Sequence, residues 1–162
     1  MYILWTIFFK KSKIMGTKYK GKIKEVSSLN TYIKLVRATE TLRTKLINKL
    51  FDFKITENQF YCLDAIYHLG PLTQRELGEK LSRSGGNITL VIDNLEKKHL
   101  VKRQKDKDDR RKYFIVLTKK GENFFKKLFP HQLNLLVDEL NSISEKDKKE
   151  LQRLCKKIGL KN

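Results

Sequence analysis

Residues 73–117, TQRELGEKLSRSGGNITLVIDNLEKKHLVKRQKDKDDRRKYFIVL, decide the fold class of this chain. Their first four residues, TQRE, form a capping box, which predicts the start of a short helix. Residues 82–85 are a tight polar turn, and residues 87–98 carry apolar side chains at three- and four-residue spacing, which predicts a second helix. Two short helices joined by such a turn are typical of a helix-turn-helix.

After His99 the pattern changes from helix to strand. Residues 100–104 predict a short strand, and residues 112–117, which are rich in β-forming side chains, predict a second. The segment between them contains no apolar side chain, so the pattern predicts a β-hairpin with a charged tip, called the wing below. A helix-turn-helix followed by a hairpin is a winged helix. The predicted fold class is therefore mostly α with a small β-hairpin wing (α+β).

Helices are predicted on both sides of this core, residues 56–121, and are interpreted as dimerisation arms. Residues 28–53 repeat apolar side chains at helical spacing. Residues 122–162 do so again, although Pro130 is expected to kink or break the helix. Because no other part of the chain is available to cover these apolar faces, they require a partner. The predicted domain spans residues 28–162.

Residues 1–27 are predicted to be a basic, disordered N-terminal extension. The first nine residues, MYILWTIFF, are almost all apolar, but a run of nine is far below the roughly 20 residues that cross a bilayer. The segment also lacks the charged start and cleavage site of a signal peptide. Residues 1–14 are interpreted as a dispensable extension from an upstream start codon, with an interfacial membrane anchor as the alternative. The protein is expected to be cytoplasmic.

The composition indicates the class of partner. Lys and Arg number 36 against 18 Asp and Glu, a formal net charge of +18, which favours nucleic acid first and an anionic membrane surface second. The 2 cysteines are too few for a disulfide framework. The 3 histidines lie on separate predicted elements, and no nucleotide-binding glycine loop is present, so no enzyme activity, cofactor or metal site is predicted.

The helix over residues 87–98 has two unlike faces when its residues are placed about 100° apart. Four apolar side chains share one stripe, and Leu90 lies opposite them, on the same side as Asn87. An outward Leu beside an Asn suits the major groove, where thymine presents a methyl group and adenine pairs with Asn. Gly85 and Gly86 would allow phosphates to approach the start of the helix.

The tip of the wing supplies the second predicted contact. Asp109 is expected to hold the Arg111 guanidinium in a fixed two-pronged orientation, aimed at a narrow A/T-rich minor groove. The full set of predicted DNA-contacting residues is Thr73, Gln74, Arg83, Ser84, Gly85, Gly86, Asn87, Thr89, Leu90, Asn94, Lys97, Lys105, Asp109, Arg110 and Arg111.

Residues 59–121 resemble the winged-helix core of the MarR (multiple antibiotic resistance regulator) family. The most specific matches are the Asp109-Arg110-Arg111 signature of the wing and the Leu117-Thr118-x-x-Gly121 that follows it. His99 departs from the family, which usually has Gly after the recognition helix. Histidine tolerates the left-handed backbone conformation better than most residues, so the turn can survive. The resemblance extends over roughly residues 28–160.

The resemblance implies a homodimeric repressor or activator that releases DNA when a small molecule or an oxidant acts. It places Asn87, Thr89 and Leu90 on the recognition helix and makes Arg111 the wing-tip arginine. The segment SGGNITLVIDNLEK is most similar to a subgroup that responds to quinones and related phenolics.

The predicted function is a sequence-specific, DNA-binding transcriptional regulator, a homodimeric repressor released from a pseudo-palindromic operator by a small aromatic effector. A crevice with apolar walls and a few polar groups is expected to bind the effector. Its predicted residues are Tyr32, Phe60, Tyr67 and His68. Two alternatives stay open: a redox or electrophile sensor that uses Cys62, and a non-specific architectural nucleic-acid-binding protein.

Two further interpretations concern the arms. The aromatic side chains of Phe124, Phe125 and Phe129 are interpreted as dimer core rather than as a ligand cage. Cys155 is expected in the core or the dimer interface.

Overall fold

The computed structural model describes residues 16–81, 88–106, 108–109 and 111–159. The chain divides into two compact units, Met1–Leu46 and Ile47–Asn162. The helices and strands are, in chain order, α1 (Ile23–Phe51), α2 (Glu57–Leu69), β1 (Leu72–Thr73), α3 (Gln74–Leu81), α4 (Ile88–Lys97), β2 (Val101–Lys105), β3 (Tyr113–Leu117), α5 (Lys119–Leu140) and α6 (Glu145–Gly159).

The first helix begins five residues before the predicted start at residue 28. The Glu25 carboxylate accepts the backbone N–H of Lys22 at 2.9 Å, which satisfies one of the free donors at the helix start. Residues 23–27 therefore belong to α1, and the prediction that the disordered extension reaches residue 27 is wrong. Ile33 and Leu50 of the predicted apolar face are both buried within the single chain, so the expectation that no other part of the chain covers this face is wrong at these two residues.

Two capping boxes are present, and the one at residues 73–76 confirms the prediction. The Thr56 hydroxyl accepts the backbone N–H of Gln59, and the Gln59 side chain accepts that of Thr56, each at 3.3 Å. Thr73 and Glu76 make the same reciprocal pair at the start of α3. Gly70 ends α2 with φ of 85°, a left-handed conformation that glycine adopts without strain.

The core of the second unit lies between the helix-turn-helix, the sheet and the start of α5. Ile92 and Leu95 on the inner face of α4 are fully buried, so that face is fixed against the core. The buried side chains of this core are Leu50, Ile55, Cys62, Leu63, Ile66, Leu72, Leu77, Ile92, Leu95, Leu100, Val101, Ile115, Phe125 and Leu128.

The sheet has one strand more than the predicted hairpin. The short strand β1 pairs antiparallel with β3, so the strand order is β1-β3-β2 and β2 lies at an edge. β2 and β3 pair from Val101 with Leu117 to Lys105 with Tyr113. His99, in the turn before β2, has φ of 59°. Histidine thus adopts here the left-handed conformation expected at the position where the family usually has glycine. The mostly helical fold with a small antiparallel sheet confirms the predicted winged-helix class.

The α5 helix continues through Pro130, so of the two expected outcomes, a kink or a break, the break does not occur. Proline removes one backbone hydrogen bond, but Leu128 before it and Gln132 after it are both buried, and this packing holds the helix together. Phe125 is fully buried within its own chain, so its interpretation as dimer core is wrong. No helix in the described ranges is long and apolar enough to cross a membrane.

Candidate nucleic-acid interface

The α4 helix presents a polar surface with one large apolar side chain. Its buried face is anchored in the core, whereas Leu90 is 57% exposed and Lys97 also faces solvent. Asn94 is half-buried on the same side as Leu90. The outward position predicted for Leu90 is therefore observed. Five of the predicted contact residues, which precede α4, lie outside the described residues: Arg83, Ser84, Gly85, Gly86 and Asn87.

The start of α3 is connected to the α4 surface by a side-chain hydrogen bond. The Gln74 amide donates to the Thr89 hydroxyl at 2.8 Å, which brings two predicted contact residues together. Thr73 is used differently. Its hydroxyl donates to the Glu76 carboxylate at 2.7 Å and accepts the Glu76 backbone N–H, and the bonds from Thr73 to the carboxylate lower the pKa of Glu76. Thr73 is thus placed as a helix cap, with its hydroxyl already engaged.

Arg111 extends into solvent from the wing. Its side chain is 93% exposed, and its Nε lies 3.4 Å from Asp109 Oδ1. The Arg111 backbone N–H donates to the same oxygen at 3.0 Å. Asp109 therefore orients Arg111 as predicted, but through the backbone and one guanidinium nitrogen rather than through two prongs. Arg110 lies outside the described residues.

The turn at the wing tip is ordered by Asp106, which sequence reasoning did not single out. Asp106 Oδ1 accepts the backbone N–H groups of Asp108 and Asp109, each at 2.8 Å, and these bonds lower the pKa of the Asp106 carboxyl. An Asp that accepts backbone donors two and three residues later is a recognisable turn signal. Nearby, the Lys105 ammonium lies 6.0 Å from the centre of the Tyr113 ring.

Three of the four predicted effector residues form one aromatic cluster around Phe125. Ring centres lie 4.7 Å apart for Tyr67 and Phe125 and 5.9 Å apart for Phe60 and Phe125. The His68 ring lies 6.0 Å from that of Phe125 and carries its Nε2 3.4 Å from Asp64 Oδ1. Burial raises the pKa of Asp64, and the nearby His68 partly offsets this.

Beside Tyr67 lies an open cleft of about 510 Å³. Its lining residues are Ile66, Tyr67, Gly70, Pro71, Val116, Leu117 and Glu122. The fourth predicted effector residue, Tyr32, belongs to the first unit and is exposed. The second unit thus offers both an aromatic cluster and a cleft.

The two cysteines have opposite environments. Cys62 is fully buried in the core, and burial raises the pKa of its thiol to about 12. Cys155 lies on α6 and is exposed in the single chain, so it is not in the core, and its alternative place in the dimer interface stays a prediction. In the described part of the chain, no group of three or more His, Cys, Asp and Glu side chains is arranged to hold a metal ion.

Sequence reasoning missed a cluster that connects the wing to α4. Arg103 on β2 donates from Nη2 to Asp93 Oδ1 at 2.7 Å and from Nη1 to Glu96. Two carboxylates three residues apart on a helix indicate that a basic partner could bind there, but they do not show which of the nearby basic residues it is.

This fold and its exposed basic surface define a winged helix-turn-helix DNA-binding protein. Comparison with known proteins supports that class. Residues 55–113 match the sequence model of the MarR family. An HTH-type transcriptional regulator of Bacillus cereus (strain ATCC 10987) is 30% identical over 128 residues, which cover 78% of this chain and 85% of the relative.

Two further comparisons agree. The HTH-type transcriptional regulator MhqR of Bacillus subtilis (strain 168) is 28% identical over 133 residues, covering 82% of this chain and 92% of MhqR. The crystal structure of a mutant MarR from Escherichia coli in complex with operator DNA superimposes with a TM-score of 0.67 at 24% identity, covering 86% of this chain and 99% of that chain.

The chain belongs to the MarR family of transcriptional regulators. It is a DNA-binding regulator, and its relatives are transcription regulators rather than enzymes.

Proposed function

We propose that this chain is a cytoplasmic, homodimeric repressor that reads a pseudo-palindromic operator and releases it when a small aromatic molecule binds. The exposed Leu90 carries the sequence-specific part of this proposal. Its helix is fixed by a buried inner face, yet it directs an apolar side chain outward. Phosphate binding makes no use of such a group, whereas a thymine methyl in the major groove does. A non-specific architectural role leaves Leu90 unexplained.

Leu90→Ala is expected to weaken binding to an operator that contains the contacted thymine by about 1–3 kcal/mol. The operator is first selected from random duplexes, and each thymine is then replaced in turn by uracil, which lacks only the methyl group. At the contacted position, the uracil operator should bind the parent and the variant equally well.

The matched control is Leu69→Ala, which truncates a leucine at the end of α2 that is 58% exposed and is not among the predicted DNA contacts. If Leu90→Ala loses the same affinity on every thymine and uracil operator, Leu90 does not read a methyl group.

The homodimer is supported by α6. None of its residues is buried in the single chain, and it carries exposed apolar side chains at Leu151, Leu154 and Ile158. This spacing places them on one side of the helix. A chain with a formal net charge of +18 repels its own copies, so an apolar seam is needed to hold two of them together. We assign α1, the part of α5 from residue 122 onward and α6 as the dimerisation arms, and residues 56–121 as the DNA-binding core.

The operator should bind two chains, with half-sites about one helical turn, roughly 34–36 Å, apart. Insertion of about 5 base pairs between the half-sites should abolish cooperative binding, because it turns the second half-site to the opposite side of the duplex. Insertion of about 10 base pairs keeps both half-sites on the same side of the duplex, so it tests the distance between them alone. Sedimentation of the complex gives the stoichiometry. One chain per duplex would disprove the dimeric arrangement.

The effector site is supported by the aromatic cluster and the adjoining cleft. Tyr67 belongs to both, and Glu122 lines the cleft, so apolar walls and polar groups lie side by side. This combination is what ligand sites usually provide. Release of DNA requires the ligand to bind better to a conformation that cannot occupy both half-sites. A phenol or quinone fits these walls, and the placement of Tyr32 at the site stays a prediction.

A phenol that is not an electrophile is expected to release DNA from Cys62→Ala as fully as from the parent. With a pKa of about 12, the Cys62 thiol stays protonated at neutral pH, and only the thiolate attacks electrophiles. Alanine is chosen because it places no unpaired hydroxyl in the core. A gel-shift titration with a phenol and with a quinone measures release, and Cys155→Ala is the matched control. Release that needs the quinone and disappears in Cys62→Ala would make this protein a cysteine sensor.

A further inference from the structure

Arg103 joins the wing to the recognition helix through three hydrogen bonds. Its guanidinium donates to Asp93 Oδ1 at 2.7 Å and, from the other terminal nitrogen, to Glu96 Oε2. Its backbone N–H donates to Glu96 Oε1 at 2.9 Å. Glu96 thus binds both the main chain and the side chain of one strand residue, and Asp93 binds the second prong of the same guanidinium.

The three residues occupy positions suited to a rigid connection. Asp93 and Glu96 are three residues apart on α4, on one flank of the helix about 60° and 120° from Leu90. Arg103 lies on β2, the edge strand, so its N–H can leave the sheet and reach Glu96. Arg103 pairs in register with Ile115 of β3, so a shift of Arg103 relative to α4 also shifts both strands of the wing.

We propose that Arg103, held by Asp93 and Glu96, is a positioning residue that fixes the angle between the wing and α4, and thereby sets operator specificity. A planar guanidinium that donates to two separate carboxylates fixes both distance and rotation, which a single contact does not. The angle matters because Leu90 on α4 and Arg111 on the wing must reach one duplex at the same time. This inference rests on the proposed docking of those two residues.

Charge and stability alone do not account for the cluster. Its side chains are between 29% and 42% exposed, and ion pairs this accessible are screened by solvent and stabilise a fold little. Carboxylates beside a DNA-facing surface also repel phosphate. Removal of the Glu96 charge should therefore tighten binding to every duplex if electrostatics were its only effect. If the cluster instead fixes the angle between the wing and α4, loss of the Glu96 charge weakens binding to the operator alone. The two explanations therefore predict changes in operator affinity of opposite sign.

The experiment compares Glu96→Gln and Arg103→Lys with the parent on the operator and on a random duplex of equal length, at one salt concentration. We expect operator affinity to fall by about tenfold or more in both variants, which is within the range of a lost specific contact. Affinity for the random duplex should stay equal or rise in Glu96→Gln. Arg103→Lys keeps the charge and loses the planar fork, so a fall in its operator affinity reports geometry.

The matched controls are Glu150→Gln and Arg153→Lys. These two residues form an arginine–carboxylate pair within α6, with contacts of 2.7 and 2.8 Å, and the substitutions change the net charge by the same amount. Because both residues lie on α6, a proposed dimerisation arm, sedimentation first shows that each control stays a dimer, and neither should then alter the ratio of operator to random affinity. Thermal unfolding of each variant beside its control shows that the fold is kept.

A double-mutant cycle distinguishes a positioning role of the cluster from a merely structural one, because a structural role would not change the operator affinity that Arg111→Ala costs. Arg111→Ala should cost less operator affinity in the Glu96→Gln background than in the parent, because a misplaced wing has already lost its contact. Additive losses, or an unchanged ratio of operator to random affinity in both cluster variants, would overturn the inference. If Leu90→Ala and Arg111→Ala leave the parent's operator affinity unchanged, the proposed docking itself is wrong and the inference falls with it.

Discussion

Gly121→Ala is expected to lower the free energy of unfolding by about 3 kcal/mol, the upper end of the cost of overpacking a core. In an ordinary helix position the same change raises stability by about 1 kcal/mol. The sign reverses because a Cβ on Gly121 would overlap the Leu100 carbonyl oxygen and lie only 2.8 Å from the carbonyl carbon. Both atoms belong to the backbone, so no side-chain rotation can relieve the clash.

The contact cannot relax because α5 is bonded to the same turn at its first residues. The Thr118 backbone N–H donates to the Leu100 carbonyl at 3.0 Å, and the Thr118 hydroxyl donates to the His99 carbonyl at 2.7 Å. The same hydroxyl accepts the Gly121 N–H at 3.0 Å, which caps the helix. A shift large enough to admit a methyl group breaks these bonds. The glycine of the Leu-Thr-x-x-Gly motif is therefore required because the backbone of α5 at Gly121 lies directly against the backbone at Leu100.

Gly78→Ala is the matched control, and its expected effect has the opposite sign. A Cβ at Gly78 in α3 would meet the Ile88 side chain at 3.7 Å, which is ordinary van der Waals contact. The variant should gain about 0.5–1 kcal/mol from lower backbone entropy in the unfolded chain. Urea unfolding of both variants and the parent, followed by circular dichroism, measures the two differences. If both variants change the free energy of unfolding in the same direction, the close contact between Gly121 and Leu100 can relax.

Features decided within a few residues were predictable from the sequence. The helix caps at Thr56 and Thr73 each require only a bonding partner three residues later in the chain. Both can therefore be recognised in the amino-acid sequence, and both are present in the structure. The outward position of Leu90 follows from helix geometry and the apolar residues around it. His99 adopts the left-handed turn that the family fills with glycine. In each case the physical cause lies inside one element.

Features decided between elements were not predictable in the same way. β1 has only two residues, and it is a strand because β3 lies beside it. The helix through Pro130 persists because its neighbours on both sides are buried. The contacts of Arg103 cross from β2 to α4, and sequence spacing alone does not show which of many basic residues near the wing meets a carboxylate.

Arg111→Ala is expected to weaken operator binding by at least about tenfold while it leaves the fold unchanged. The side chain is 93% exposed and packs against nothing that the core needs, so its loss removes only a contact made with DNA. Asp109 already orients Arg111 in the free chain, through its backbone N–H and its Nε. An arginine held in place before binding loses less conformational freedom when it enters a groove. Removal of an ordered contact therefore costs more than removal of one mobile charge.

The test must separate a groove contact from a general loss of charge. If Arg111 enters a narrow minor groove, Arg111→Ala should lose more affinity on operators whose wing-facing sequence is A/T-rich than on those made G/C-rich there. The slope of log affinity against log salt should also become shallower by about one. Arg153→Ala removes the same charge from an arginine on α6 that is likewise paired with a carboxylate and lies at least about 100° around the helix from Leu151, Leu154 and Ile158. Provided that it sediments as a dimer, this control should show neither effect. Equal losses in both variants, independent of the sequence beneath the wing, would mean that Arg111 adds only to the general positive field, because a groove contact depends on the width of the groove it enters.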